Sequence, residues 1–407
     1  MTLEIERLPV SLGANPRRVL LKRYNTGEAQ AQHIIDRVLA YPEEKLEALL
    51  QETLALFADR HEGVHERMLA RADEVKKDAS LSPARRALLG ASFLHEYSVE
   101  AAALFNPSIV PHPDQSGLGE GSLRFIMSLR AVGEGHISSV EFLSGVLDAG
   151  ANVKLDPMTG KLRLGEVHGE QGTNFEVTFA PEIPLDERIL FPYTPSQSNG
   201  IEDVRFVQCE GKYYGTYTAY DGRNILPQLI ETNDFLNFRF VTPGGNAVRN
   251  KGMALFPRKI GGRYFMLGRQ DAEKLYLMSS DDVHSWSDPK LLLEPVYPWE
   301  WIQIGNCGSP METEAGWLVL THGVGPLRHY TISAFLLDKD DPSKVLGRLP
   351  VPLIAPNAEE REGYVPNVVY TCGAILHGKY LVIPYALSDS AIRFARIPTA
   401  DVLAAMV

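Results

Sequence analysis

One unit recurs four times after residue 200: an aromatic strand, a short polar gap, a second strand and an acidic turn. Its copies are GKYYGTYTAYDG…LIETNDFLNF, GGRYFMLGRQDAEKLYLMSSDDVHSW, AGWLVLTHGVGPLRHYTISAFLLDKDDPSKV and GKYLVIPYALSDSAIRFARIPTADV. The leading aromatics Tyr213, Tyr264, Trp317 and Tyr380 stand roughly 50 to 60 residues apart, the period of a four-stranded propeller blade rather than of a helical solenoid. A fifth, weaker copy lies in SLRFIMSLRAVGEGHISSVEFLSG, where Arg124 to Arg130 and His136 to Leu143 alternate apolar and polar residues as half-buried strands do. The pattern predicts an all-β five-bladed β-propeller with an added N-terminal α-helical region. Such a fold gathers the ends of its inner strands around one funnel, so charged residues on those strands are the ones to weigh. Propellers also serve as interaction platforms, and the chemistry has to be argued from the site.

The helical region is predicted for residues from about 27 to 104. Ile34, Ile35, Val38 and Leu39, then Leu46, Leu49, Leu50, Leu54 and Leu56, recur at steps of three and four. A short strand-like opening, Pro16 to Tyr24, precedes them, and Ser82 before Pro83 marks the start of a further helix running to Asn106-Pro107. Glycine and proline in HPDQSGLGEGS then mark a loop, after which β patterning runs to the end. The expected domains are residues 1–104, mostly helical, and 105–407, the propeller. The helices have a face to pack on the propeller or on a second copy, as a homo-oligomer contact.

With a formal charge of -11 over 407 residues, the chain lacks the basic face that nucleic acid or an anionic membrane requires, and an uncharged substrate fits better. The opening MTLEIERLPVSLG has no basic stretch followed by an apolar core, and no run approaches about 18 consecutive apolar residues, so the expected location is cytoplasmic. Cys209, Cys307 and Cys372 are widely spaced without a CxxC, which fits buried reduced thiols better than a disulfide framework or a zinc site.

Three clusters can carry chemistry. Glu202-Asp203-Val204-Arg205 sets adjacent carboxylates beside an arginine, so one acid can face the funnel while the arginine screens it, as a general acid needs; alone, it equally describes a surface ion pair. Arg249, beside Asn250-Lys251-Gly252, and Arg269 can clamp a phosphate or carboxylate by bidentate hydrogen bonds, or serve as structural ion pairs. The segment Asn306 to Glu314 places carboxylates beside the strand leading to His322, a histidine of the kind more often bonded within a core than used as a base.

Together these segments resemble glycoside hydrolase family 130, the five-bladed family of β-mannoside phosphorylases and β-1,2-mannosidases. The motifs run in order from about Phe105 to the end: FNPS, EDVR, NKGMALFP, THG, LLDKDDPSKVLGRLP and VPNVVY. The resemblance implies Asp203 as the acid, although the family's Glu-Asp-Pro-Arg has Val204 in place of proline, with protonation of the glycosidic oxygen through a mannose hydroxyl. It also implies Arg249 and Arg269 as phosphate ligands. Where the family has a further phosphate-binding lysine, this chain has Glu312, a carboxylate that would repel phosphate but could deprotonate water. Glu273 and Glu312 are accordingly expected as the general-base pair, and Asn106, Arg130, Asn306, His322, Tyr364 and Asp389 as sugar ligands. No metal or cofactor is implied.

The expected activity is therefore an inverting glycoside hydrolase acting on β-mannosides, with two rivals: a phosphorylase that uses inorganic phosphate as co-substrate and releases mannose 1-phosphate, and a non-catalytic carbohydrate-binding propeller. The expected substrate is a small β-1,2-linked manno-oligosaccharide. The loops around residues 157–200 and 352–364 are expected to set specificity.

Phosphate dependence of the rate separates the hydrolase from the phosphorylase, and turnover of any β-mannoside separates both from the binding module.

Overall fold

The leading and central strands of this chain include runs buried on both faces. Gly316–Val324 (GWLVLTHGV) is buried at every position, and Ala103–Pro111 at all but its last. Runs of this kind need a layer of side chains on each side rather than one wet face. The computed structural model describes residues 3–169 and 174–407. Residues 170–173, within one of the loops expected to set specificity, lie outside the described residues. The chain divides into two compact units, Met1–Ala14 with Ala101–Thr159 and Leu164–Val407, and Asn15–Glu100 with Gly160–Arg163.

The larger unit is mainly β. Its first sheet is led by Ala103–Pro111, followed by Leu123–Val132, Ser138–Leu147 and Val153–Leu155. The second runs Gly200–Cys209, Lys212–Tyr220, Ile225–Thr232 and Asn237–Val241. A parallel pairing of Gly200 with Ser138 joins these two into one twelve-stranded sheet. The third is Lys251–Leu255, Tyr264–Arg269, Leu275–Ser280 and Lys290–Leu293, and the fourth Gln303–Asn306, Gly316–Val324, Tyr330–Leu337 and Val345–Arg348. The fifth holds Val369–Tyr370, Tyr380–Leu387 and Ala391–Pro398, and its outer strand, Glu6–Gly13, comes from the start of the chain. That strand belongs to the β unit, so the β unit begins before the helices.

Apolar clusters fill the spaces between successive sheets. Phe142, Phe206, Phe235 and Phe238 lie between the first and second, Trp286 with Met253 between the second and third, Trp317 with Phe256 between the third and fourth, and Ile332 with Tyr385 between the fourth and fifth. Burying each such large side chain contributes about 2 to 3 kcal/mol. Hydrogen bonds follow the same order. Phe206 N donates to Ser108 Oγ at 3.0 Å, Ile304 N to Glu273 O at 2.9 Å, and Tyr330 N to Asn367 O at 3.1 Å. Thr216 Oγ1 donates to Met253 O, and Cys372 N donates to Pro107 O at 2.8 Å, which ties the fifth sheet to the first.

The smaller unit holds four helices, α1 (Glu28–Ala40), α2 (Glu43–Phe57), α3 (Val64–Val75) and α4 (Pro83–Ala91), with a two-stranded sheet of Val19–Arg23 and Leu94–Ser98. Leu46, Leu50, Met68, Ala87 and Leu88 form its core. Ser82 caps α4 by accepting from Arg85 N at 3.3 Å, and Pro83 opens the helix. The helix expected from Ser82 to Phe105 stops at Ala91. Residues from Leu94 onward pair instead with Val19–Arg23, an example of strand pairing overriding a helical pattern. No helix among the described residues is long and apolar enough to cross a membrane.

Gly308 shows how closely the fourth and fifth sheets approach. Its φ is +106°, and a Cβ there would lie 2.4 Å from the carbonyl oxygen of Cys372. Gly308→Ala is therefore expected to lower unfolding free energy by about 2 kcal/mol or more, read as a lower midpoint in urea at unchanged slope.

Candidate active site

The leading strands of the first three sheets share one irregularity. Phe105 pairs with Arg130 but Ser108 with Ser128; Glu202 pairs with Thr218 but Arg205 with Thr216; Lys251 pairs with Arg269 but Ala254 with Leu267. Each leading strand thus carries one extra residue, a bulge, and the residue after the first of these pairs is left-handed every time. These are Asn106 at φ 49°, Asp203 at φ 54° and Gly252 at φ 87°. Asparagine, aspartate and glycine are the types that tolerate that conformation, and a bulge of this kind re-aims the side chains around it.

The result is a buried network of charges. Asp203 Oδ1 accepts from Asn106 Nδ2 at 2.8 Å and from Arg130 Nη1 at 3.0 Å. Arg130 Nη2 reaches Glu202 Oε1 at 2.7 Å, and Lys251 Nζ takes the other oxygen, Oε2, at 2.7 Å. Arg205 donates to the Asp203 carbonyl at 3.2 Å and to the Tyr370 hydroxyl at 2.6 Å. Burial pushes the Asp203 carboxyl up, but Arg130, and then Arg205 and Lys251, hold it well below the usual carboxylate range. Asp389 behaves in the opposite way. Burial first, and the negative charge of Asp203 second, push its carboxyl up to about 7 against the pull of Arg130.

Arg269 and His322 make the second half of the network. Arg269 Nη1 lies 3.1 Å from His322 Nε2, and because a guanidinium can only donate, Nε2 is the acceptor and the ring is neutral. Burial, then the positive charges of Arg269 and Arg205, keep the histidine well below its ordinary range. Arg269 has no carboxylate ion pair among the described residues, and its Nε is buried without a hydrogen-bond partner. The amide oxygens of Asn106 and Asn306 are buried and unpartnered as well. Asn306 belongs to this corner: a Cβ on Gly252 would stand 3.5 Å from its Oδ1 and 3.6 Å from Arg269 Cβ. Four cations, Arg130, Arg205, Lys251 and Arg269, thus meet two paired carboxylates, Glu202 and Asp203, and the corner around Arg269 has positive charge and open polar atoms to spare.

Of the residues expected from sequence, the structure brings together Asp203, Asn106, Arg130, Arg269, His322, Asn306 and Asp389. Tyr364 stands at a loop, 46% exposed, with its hydroxyl 2.8 Å from His136 Nδ1. Arg249 stays exposed in the loop before the third sheet, without an ion pair among the described residues. Glu273 is exposed in the turn between Tyr264–Arg269 and Leu275–Ser280. Glu312 is held by Arg258 at 2.7 and 2.8 Å and by Lys339 at 3.1 Å; the bonds from Arg258 lead in drawing its carboxyl down to about 2. A carboxylate paired in this way is a poor base, and its negative charge is matched by its own cations. Glu202 and Arg205, which the sequence sets beside the acid, join the network in that setting, whereas Lys251 and Tyr370 stand in the motifs quoted above without a residue pattern that marks either as part of the site.

The raised Asp389 has a measurable signature. Its carboxyl carbon is expected to titrate in NMR with a midpoint near pH 7, moving downward in Asp203→Asn, where the neighbouring charge is gone. Because a raised folded value means that the folded protein holds a proton the unfolded chain has lost, this residue's contribution to stability falls as pH rises from about 4 to about 7. Asp389→Asn should flatten that part of the stability profile.

The chain is similar to a group of known proteins. The family described as β-1,4-mannooligosaccharide phosphorylase matches residues 175–407. A 1,2-β-oligomannan phosphorylase of Thermoanaerobacter sp. (strain X514) is 33% identical over 244 residues, covering 59% of this chain and 80% of that protein. A β-1,2-mannobiose phosphorylase of Listeria innocua serovar 6a is 34% identical over 230 residues, covering 54% of this chain and 64% of its own length. Among solved structures, the Listeria innocua β-1,2-mannobiose phosphorylase in complex with β-1,2-mannobiose superposes with a TM-score of 0.57 at 22% identity, over 76% of this chain and 93% of that one.

Proposed function

We infer the function from one premise: this chain belongs to glycoside hydrolase family 130. We propose that it is a β-mannoside phosphorylase, splitting β-1,2-linked manno-oligosaccharides with inorganic phosphate and releasing mannose 1-phosphate. The observation that carries this reading is Arg269, a half-buried guanidinium whose Nε is buried without a hydrogen-bond partner and which has no carboxylate partner among the described residues, set beside neutral His322 and close to Arg205. A cation partly withdrawn from water without an anion is costly, and a bound phosphate supplies the missing charge. The names of the relatives, phosphorylases of β-1,2-mannosides, support the same substrates.

This replaces the expectation of hydrolysis. The relatives that overturn it are phosphorylases, and the glutamate pair on which it depended does not assemble: Glu312 is bound to Arg258 and Lys339, and Glu273 faces solvent. The charge reversal seen at Glu312 is balanced locally and leaves the cations around Arg269 available.

In the proposed reaction a phosphate oxygen attacks C1 of the terminal mannosyl residue from the side opposite the leaving oxygen. The bond from C1 to the leaving sugar breaks, a proton reaches the departing oxygen, and the anomeric centre inverts. Asp203 supplies that proton by way of a mannose hydroxyl. In the empty cleft it is an anion, but phosphate on Arg269 offsets the positive potential that keeps it so, and the carboxyl takes up a proton as the ligand binds. Asn106, Arg130 and Asp389 face the sugar hydroxyls. The five sheets are read as the blades of a five-bladed propeller with this cleft in its funnel, and residues 105–407, completed by Glu6–Gly13, as the catalytic domain. A cytoplasmic location suits an enzyme that consumes inorganic phosphate.

Product analysis tests the reading. Purified protein given β-1,2-mannobiose should form mannose 1-phosphate only when phosphate is present; free mannose appearing equally fast without phosphate would sink it. Arg269→Ala should raise KM for phosphate about ten-fold or more, and Asp203→Asn should lower kcat by about 10²- to 10⁴-fold.

A further inference from the structure

Asp389 sits on a turn that ordinary backbone preferences do not favour. Ser388 and Asp389 are both left-handed, at φ 44° and φ 48°, and neither is glycine. Two such residues in a row persist only where the surroundings over-determine them. The surroundings here are a single segment, residues 355–367, stitched to the turn along its length. Ser388 Oγ donates to Glu360 O at 2.7 Å, Tyr364 N to Ser390 Oγ at 2.6 Å, and Val365 N to Ser388 O at 3.0 Å. Gly363 fits because it lacks a side chain: a Cβ would come within 2.2 Å of Ser390 Oγ and 2.5 Å of Ser388 O.

The segment is in turn held by Glu360, whose side chain is fully buried. Its carboxylate accepts from Arg7 Nε at 3.0 Å and Nη2 at 3.2 Å, from the Tyr385 hydroxyl at 2.6 Å and from Asn357 N at 3.2 Å. Arg7 also donates to Ala355 O at 3.0 Å, clipping the start of the same segment. Arg7 lies on Glu6–Gly13, the strand from the start of the chain that pairs with Ala391–Pro398. A continuous run of hydrogen bonds, charge-assisted where Arg7 meets Glu360, therefore leads from the first strand through Glu360 to Ser388, the neighbour of Asp389 in the turn. The phosphate corner, Arg205, Arg269 and His322, lies on other strands and has no bond to this run among the described residues.

We propose that Arg7 and Glu360 are positioning residues that fix the left-handed turn carrying Asp389, and so set how tightly the site holds its sugar while leaving its hold on phosphate untouched. The proposal rests on the phosphorylase reading for the identity of the two ligands. A misplacement of about 1 Å can cost about 10²-fold in rate, and loss of the bidentate clamp leaves Glu360, among the described residues, only the Tyr385 hydroxyl, Asn357 N and, at 3.6 Å, Arg393 to hold its carboxylate.

The test compares wild type with Arg7→Met, Arg7→Lys and Gly363→Ala; the last separates segment from turn without touching the ion pair. The expected result for Arg7→Met and Gly363→Ala is a KM for β-1,2-mannobiose raised about ten-fold, with KM for phosphate within about two-fold of wild type, and partial recovery in Arg7→Lys. A sugar KM that stays at the wild-type value, or both KM values rising together with a lowered melting temperature, overturns it. Calorimetric titration with β-1,2-mannobiose reads the same comparison without turnover. Wild type that releases mannose without phosphate defeats the phosphorylase reading and leaves the positioning role to be scored by calorimetry, whereas Arg7→Met binding the disaccharide as tightly as wild type defeats the positioning role alone.

Discussion

The site depends on one backbone device, a bulge with a left-handed residue placed at the same point of three leading strands. Without it, Asn106 and Asp203 would follow the alternation of a regular strand rather than meet Arg130 in one cluster. The bulge brings Asn106 and Arg130 of the first sheet onto Asp203 of the second, and Lys251 of the third onto Glu202 of the second. Its cost in backbone strain, about 1 to 3 kcal/mol for each non-glycine residue, is offset by the charge-assisted bonds that the bulge residues take part in. Conformation and electrostatics are thus two aspects of one arrangement: the strained residues are the ones whose side chains the network needs.

The balance of charge decides what this network can do. Pairs such as Arg130 with Glu202 satisfy each other and hold the frame, while Arg269 is left over. Evenly matched charges would attract no anion; a surplus of buried positive charge does, because low surrounding polarity strengthens its attraction for a ligand as it raises the cost of leaving it empty. The same potential explains why two aspartates in one cleft differ so widely. Asp203 is surrounded by cations and stays ionised, whereas Asp389, buried and facing the charge of Asp203, holds its proton to about pH 7.

Strand Glu6–Gly13 gives the start of the chain a role beyond completing a sheet. By covering the edge of Ala391–Pro398 it removes an open row of backbone donors and acceptors, and through Arg7 it reaches the segment that braces the turn bearing Asp389. Segment and turn are joined by bonds too specific to be made by packing alone.

Much of the β architecture was legible in the sequence because its signals are local: alternation, aromatic spacing and acidic turns mark strands wherever they lie, and the motifs around Asn106, Asp203, Lys251 and His322 stand in order along the chain. Long-range charge pairing was not legible. Sequence alone could not show that Glu312 has Arg258 and Lys339 for partners, that Arg249 is exposed while Arg205 and Lys251 bond into the network, or that α4 ends at Ala91 because Leu94–Ser98 is claimed by a distant strand. The sequence by itself determined the kinds of element and the chemistry available. Tertiary structure decided which charges neutralise one another and which remain for a ligand, because that depends on distances of a few ångströms between residues as far apart in sequence as Arg7 and Glu360, which no local pattern encodes.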